Sequence, residues 1–411
     1  HSGFSPRVQP RIVPSGVTSV SDQQASRDLA ALSDLKGAPQ PVERRVRRIG
    51  PERIDPRDAA VAAHQRLPLM AQDDVANPNR PCPSGALGSV DGGRPQIRSE
   101  PSTESESQPT SPWRESKVAA LETDQSAVHH ADPDPHVPRW FLDLKRTMET
   151  VRGLGPALPV GLELEDEDKA QGPNPPAPED RGRAARPGRP ERLVRSVPAR
   201  RECAEDFGPR RHQAAGERDS FGAPRRVLLG DGLAVNGTIQ RRQFAGLTPV
   251  VDFVPALSSE FAAAFAGRPQ AEATAISKRW IQAVWSGPVA TIRPELEDPS
   301  AALGSPPSGC AEGDPRRLGF DALRDLKNDA DRMRHDEYRC PGWPIRTSAV
   351  ESVIKLINRR VKGSEQFWSE PGAEAILQFR GDYLSETGPM ERSWSSREAT
   401  ANLVRPYRRS A

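Results

Sequence analysis

"LGSVDGGRPQIR", residues 87–98, reads as an apolar strand that runs into a glycine turn and carries an acid, Asp91, at the point of exit. A second stretch repeats the pattern. "RRVLLGDGLAVNGTIQ", residues 225–240, places the apolar run Val227 to Leu229 directly ahead of Gly230-Asp231-Gly232. Four to eight apolar residues bounded by turn signals suit a buried strand. Glycine beside each acid lets backbone or a ligand come close. Taken singly, each Asp-Gly is also ordinary turn chemistry.

Working outward, "ESKVAALET" (115–123) and "QSAVHHA" (125–131) read as two further strands, and "VPRWFLDLKRTMETVRGLG" (137–155) as a helix ending near Gly153. "LTPVVDFVPALSSEFAAAFAG" (247–267) is a fifth strand followed by an alanine-rich helix, with amphipathic helices after it. Consecutive strands without an intervening helix pair antiparallel, whereas a helix between strands permits a parallel crossover. The order therefore predicts an α/β fold with a mixed five-stranded sheet flanked by helices.

The flanks read differently. In "DLAALSDLKGAPQPVERRVRRIG" (28–50), Pro39 and Pro41 interrupt two short helices, which makes residues 1–50 weakly ordered. "PERIDPRDAAVAAHQRLPLM" (51–70) is a helix. Acidic, proline-rich and arginine-rich blocks succeed one another in "EDEDKAQGPNPPAPEDRGRAARPGRPERL" (165–193) without periodicity, so 155–215 reads as a low-complexity insertion. The expected divisions are 1–50, a helical linker 51–84, two parts of one α/β domain at 85–154 and 216–390 around the insertion, and a tail 391–411.

With 43 prolines, 32 glycines and 35% hydrophobic residues in 411, the chain cannot bury apolar surface along its whole length. Net charge is only +2, but fifty arginines stand against eight lysines. Arginine makes bidentate phosphate contacts, so this bias is compatible with nucleic acid. Cys82, Cys203, Cys310 and Cys340 form no CxxC pair, which argues against a zinc ribbon or disulfide framework and suits a reducing cytosol. No apolar run approaches a membrane-spanning length and no export signal is visible. The chain opens on His1 and is read as a fragment.

"RTSAVESVIKLINRRVKGSEQFW" (346–368) is a basic amphipathic helix with one acid, Glu351, in its first turn. Val350, Val353, Ile354, Ile357 and Val361 follow helical spacing and predict a buried stripe, leaving Lys355, Arg359, Arg360 and Lys362 largely outside it. Two structural readings account for Glu351: a capping box with Ser348, and an ion pair with Lys355 one turn on. Likewise, the basic face is by itself an ordinary solvated surface. His129, His130 and His335 read as surface residues, and Trp343 and Trp368 as packing residues.

Taken in order, "SVDGGRPQIR", "WRESKVAALET", "FGAPRRVLLGDGLAVNGTIQRRQF", "LTPVVDFVPALS" and "RTSAVESVIKLINRRVKGSEQFWSEPGAEAILQFRGDYLSE" resemble successive blocks of bacterial insertion-sequence transposases of the Mutator-like, DDE type. The last block is the most specific. The resemblance implies a ribonuclease H-like catalytic domain and metal-dependent cleavage and strand transfer of DNA at the ends of a mobile element. It implies Asp91, Asp231 and Glu351 as catalytic, metal-holding acids with two Mg²⁺ or Mn²⁺ ions. It further implies DNA contacts from Lys355, Arg359, Arg360 and Lys362, an N-terminal DNA-binding region, a homo-oligomer on DNA, no membrane, and a cytoplasmic, nucleoid-associated place in a bacterium. Three carboxylates within about 4 Å repel by roughly 4 kcal/mol per pair at an effective dielectric near 20, so such a cluster calls for cations.

Two positions depart from that pattern. The family places a histidine three residues after the acid at Asp252, where this chain has Pro255, and relatives tend to carry tryptophan at Gly237. Asp252 is therefore expected to be accessory, and an inactive, partly decayed copy retaining DNA binding is the alternative function.

Overall fold

The paired glycine-flanked strands become neighbours. The computed structural model describes residues 8–33, 39–73, 82–98, 112–154, 158–159, 161–163, 190–362 and 367–403. Its strands are β1 (Gly85–Gly93), β2 (Gln96–Ile97), β3 (Ser116–Gln125), β4 (Glu191–Ser196), β5 (Ala199–Arg200), β6 (Arg225–Gly230), β7 (Thr248–Val251) and β8 (Phe367–Trp368). Six of them form one mixed sheet in the order β4-β3-β1-β6-β7, with β5 also beside β3. β1 runs antiparallel to β3 and parallel to β6, and β6 is parallel to β7. The molecule is thus α/β, with helices on its mixed sheet.

Burial along the central strands is nearly continuous, as a sheet covered on both faces requires, with successive side chains entering opposite cores. Val227 and Leu229 enter a core with Leu257, Phe261, Trp280 and Ile281, whereas Leu228 enters another with Ile239, Phe244 and Leu247. A further core joins Val118, Ala120, Val197 and Ala199 to Val350, Val353, Ile357, Ile376 and Phe379, together with Val13, Val17, Val46 and Ile49. The predicted stripe of the Glu351 helix is buried at all five positions.

Several expectations are corrected. The sheet has six strands, not five. "QSAVHHA" is no strand: β3 ends at Gln125, and Ser126 turns away to donate its hydroxyl to the Pro341 carbonyl at 2.9 Å. Of the stretch read as an insertion, residues 190–215 hold β4, β5 and most of the helix Ala204–Gly216; the acidic and proline-rich blocks at 164–189 lie outside the described residues. Gln96–Ile97, which the sequence left unassigned, pairs with Phe367–Trp368 in a separate two-stranded sheet.

The N-terminal region is also built differently. Helices Gln9–Thr18 and Asp22–Ser33 precede Pro39–Gln65, which runs unbroken across the expected division at residue 50. Pro39 and Pro41 fall in its first turn, where the missing N–H is one that no helix uses, so they start the helix instead of interrupting it. It packs on Glu370–Leu384, and the approach is close: a Cβ on Gly50 would lie 2.4 Å from the Ala375 Cβ. Arg53 to Asp382 and Arg57 to Glu374, each at 2.8 Å, tie the pair together.

Candidate functional site

Ser89 pairs with Leu229 across the parallel β1–β6 ladder, and Asp91 and Asp231 each lie two residues further on. Asp91 lies within β1 and Asp231 one residue past the end of β6, so both stand at the carboxyl edge of neighbouring parallel strands, and Asp91 feels the charge of Asp231. The ladder continues through the Asp252 N–H, which donates to the Gly230 carbonyl at 2.7 Å. The helix Ser348–Val361 covers this face, its stripe buried against Val118 and Ala120 of β3. This is how acids 140 and 120 positions apart in the chain come to one edge.

Each carboxylate is held. The Asp231 Oδ1 accepts from the Leu233 N–H at 3.1 Å and the Asn236 Nδ2 at 2.8 Å. Asp91 accepts from the Gly92 N–H at 2.6 Å. Asp91 is exposed at its surface, yet desolvation by the protein around it pushes its carboxyl above the usual carboxylate range. The Gly92 N–H opposes that push, Asp231 and Glu351 reinforce it, and Lys117 again opposes it. Asp91 therefore stands in the field of both other acids. Lys117 is itself engaged, its ammonium 2.6 Å from Glu115.

Neither structural reading of Glu351 is realised. The N-cap of its helix is Thr347 rather than Ser348, and no side chain caps there, so "SAVE" forms no capping box. Among the described residues Glu351 makes no ion pair with Lys355. Its one hydrogen-bonding neighbour is the Thr347 hydroxyl at 3.4 Å, a long contact. That hydroxyl makes its shorter bond to Asp252.

Asp252 emerges as the residue that sets where Glu351 stands. It is fully buried (0% exposed) at the end of β7. Its Oδ1 caps the helix Phe253–Ala264 through the Val254 N–H at 2.7 Å, and its Oδ2 receives the Thr347 N–H at 2.5 Å as well as the hydroxyl. Burial drives its carboxyl above the ordinary range, against these hydrogen bonds and the charge of Arg346. One carboxylate thus joins the sheet edge to the start of the Glu351 helix. Pro255 sits in the first turn after this cap and breaks no helical hydrogen bond, so the cost of a proline inside a helix does not arise.

The four basic residues divide. Lys355, Arg359 and Lys362 are exposed, and the Lys362 ammonium lies 5.9 Å from the Trp113 ring centre. Arg360 is corrected: it is 3% exposed, donates to the Gly16 carbonyl and to Asp22, each at 2.8 Å, and lies over the Trp368 ring. It is a clamp on the N-terminal helices and offers nothing to an outside phosphate. His335 is corrected too. It is wholly buried (0% exposed), its Nδ1 2.7 Å from the Val284 carbonyl and its Nε2 2.8 Å from that of Val251. Trp343 and Trp368 do pack against the cores.

Sequence reasoning overlooked Thr347, Asn236 and Lys117. Thr347 stood one residue before the assumed cap, and Asn236 lies five residues after Asp231, on the first turn of the helix Ala234–Gln243. In kind, the donors suit a divalent cation, since carboxylate oxygens are hard ligands for magnesium or manganese. In spacing, no group of three or more His, Cys, Asp or Glu side chains among the described residues stands close enough to hold a metal ion. No helix among them is long and apolar enough to cross a membrane. Neither the protein-family models nor the curated proteins yield a match to this chain.

Proposed function

We propose that the protein is a DDE-type transposase with a ribonuclease H-like catalytic domain, cutting and joining DNA phosphodiesters at the ends of a mobile element. The observation that carries this reading is that Asp91 and Asp231 stand at the carboxyl edge of neighbouring parallel strands, with Asp91 in the field of both Asp231 and Glu351. Asp91, Asp231 and Glu351 are the residues that would hold two magnesium or manganese ions once drawn closer together than they stand here, and the ions would supply activation of a water or 3′-hydroxyl and stabilisation of the leaving oxygen.

The chain's own residues supply the positioning. Asn236 and the Leu233 N–H fix the orientation of Asp231. The Asp252–Thr347 junction sets the height of Glu351 above the sheet. Exposed Lys355, Arg359 and Lys362 lie beyond Glu351 along its helix and would hold strand phosphates, making binding steeply salt-dependent. Holding two DNA ends at once calls for more than one copy of the chain, on bacterial chromosomal DNA.

The second reading is an inactive copy that retains DNA binding, and the absence of a preassembled three-ligand group among the described residues favours it. One experiment separates the two. With Mn²⁺ the full chain should nick DNA carrying the flanking element ends, and Mn²⁺ should raise its melting temperature. Asp231→Asn and Glu351→Gln should each abolish both effects. A parent protein that neither nicks nor responds to Mn²⁺, while still shifting the DNA in a gel, would leave the inactive copy standing.

A further inference from the structure

The short helix Leu69–Asp73 buries none of its residues, and its Leu69 and Met70 stand 80% and 87% exposed. It has no apolar anchor of its own. Its tie to the body is a line of polar contacts that starts at its last residue. The Asp73 Oδ1 lies 3.0 Å from the His212 Nε2, and the His212 Nδ1 lies 2.7 Å from the His64 Nε2. His64 stands in the last turn of Pro39–Gln65 and His212 on Ala204–Gly216, so the three side chains join three helices. Both imidazoles are buried, and that of His212 packs against the Phe221 and Phe244 rings; the Asp73 side chain is 59% exposed.

The protons along this line can be counted. A carboxylate only accepts, so the His212 Nε2 carries a proton and its Nδ1 is the bare acceptor for the His64 Nε2–H. One added proton fits: His212 then donates from both nitrogens, and His64 accepts at Nε2 with its own proton moved to Nδ1. A second does not fit, because two imidazoliums would point N–H at N–H. Burial draws both rings below the ordinary imidazole range. Asp73 opposes it at each, Glu217 opposes it at His64, and the His64 ring and Arg211 reinforce it at His212. We propose that Asp73, His212 and His64 form an acid-released latch, which holds the end of Pro39–Gln65 and the helix Leu69–Asp73 on Ala204–Gly216 near neutral pH and lets them go in mild acid. The sign follows from linkage. Released imidazoles take protons near about pH 6.5 and the docked pair takes them lower, so docking is intact above about pH 6.5 and is lost as pH falls below it. Each proton that the docked pair refuses weakens docking about tenfold per pH unit.

The latch needs neither DNA nor a divalent ion, so it stands or falls apart from the cleavage reading. The test is amide hydrogen exchange on the full chain in EDTA, at about pH 7.5 and about pH 5.5, corrected for the intrinsic pH dependence of exchange. Residues 64–73 should lose protection about tenfold or more at the lower pH, while β1 and β6 keep theirs. The double variant His64→Gln, His212→Gln keeps amide donors and acceptors along the line but takes up no proton, and its protection over 64–73 should be the same at both pH values. Where that variant does not fold, imidazole NMR of the parent gives the second reading: His64 and His212 should titrate below about pH 6.5, in step with the loss of protection. The proposal is overturned if residues 64–73 are equally protected at both pH values, or if the double variant loses as much as the parent. It is also overturned if the sheet loses protection in the same proportion, because the pair would then be an ordinary part of the core, or if the two rings titrate out of step with the loss.

Discussion

Removing the Asp252 carboxylate should loosen the helix that carries Glu351, and the contacts allow the size to be worked out. Asp252→Ala removes the cap on Phe253–Ala264, a change worth about 0.5–2 kcal/mol. It also strands the Thr347 N–H and hydroxyl, each bonded to a charged acceptor and worth about 1.5–3 kcal/mol. These contributions overlap, and burying the carboxylate is itself unfavourable, so the net loss should be about 3–5 kcal/mol. That is a large part of a typical stability of about 5–15 kcal/mol. Thr347→Val keeps the N–H and should lose about 1.5–3 kcal/mol. Urea unfolding followed by far-UV circular dichroism on the parent, both single variants and the double variant closes a thermodynamic cycle. Two groups in direct contact should couple by about 1–3 kcal/mol. Additive losses, with coupling under about 0.5 kcal/mol, would mean that the two residues act independently and that Asp252 does not position Glu351.

Three other outcomes follow from the same contacts. Glu260, fully enclosed and beside Asp325, has its carboxyl pushed up to about 8, mainly by burial. Because the folded value lies above the unfolded one, its contribution is intact below about pH 4.5 and is lost as pH rises through about 8, an interval worth up to about 5 kcal/mol. Glu260→Gln should flatten the fall in chemical stability between those limits, and an unchanged slope would refute the assignment. Arg360→Met, which leaves half-buried Asp22 without its partner and the Gly16 carbonyl without its donor, should destabilise by about 1–3 kcal/mol in the same unfolding assay. Arg359→Ala should stay within about 0.5 kcal/mol in stability yet reduce the salt slope of DNA binding by about one.

Much of the site's scaffold was legible because it obeys local patterns. The Val227–Leu229 stretch is an unbroken apolar run and the Val350–Val361 stripe has a period of 3.6, and both are buried as those patterns require. β4 was illegible for the opposite reason. Its residues Glu191–Ser196 are exposed or half-buried at a sheet edge, so no alternation marks "ERLVRS", and its arginines pair with Glu122 and Glu386 across space. Pro39 and Pro41 misled because a proline's effect depends on its place in the helix: in the first turn it starts one rather than interrupting it. The Thr347–Asp252 contact spans 95 positions, and nothing in either local stretch announces it.

The core that seats the Glu351 helix has a consequence for how the chain is made. Gly16 meets Arg360 across 344 positions, and Val13, Val17, Val46 and Ile49 share one interior with Ile357 and Phe379. At about 5–20 residues per second, a ribosome needs roughly 17–70 s to deliver the second half of that interior after the first has emerged. Throughout that wait the leading helices hold apolar stripes open to whatever is nearby. Synthesis, more than the finished fold, is where this chain is most exposed to aggregation, and holding chaperones should raise its yield more than lowered temperature after release.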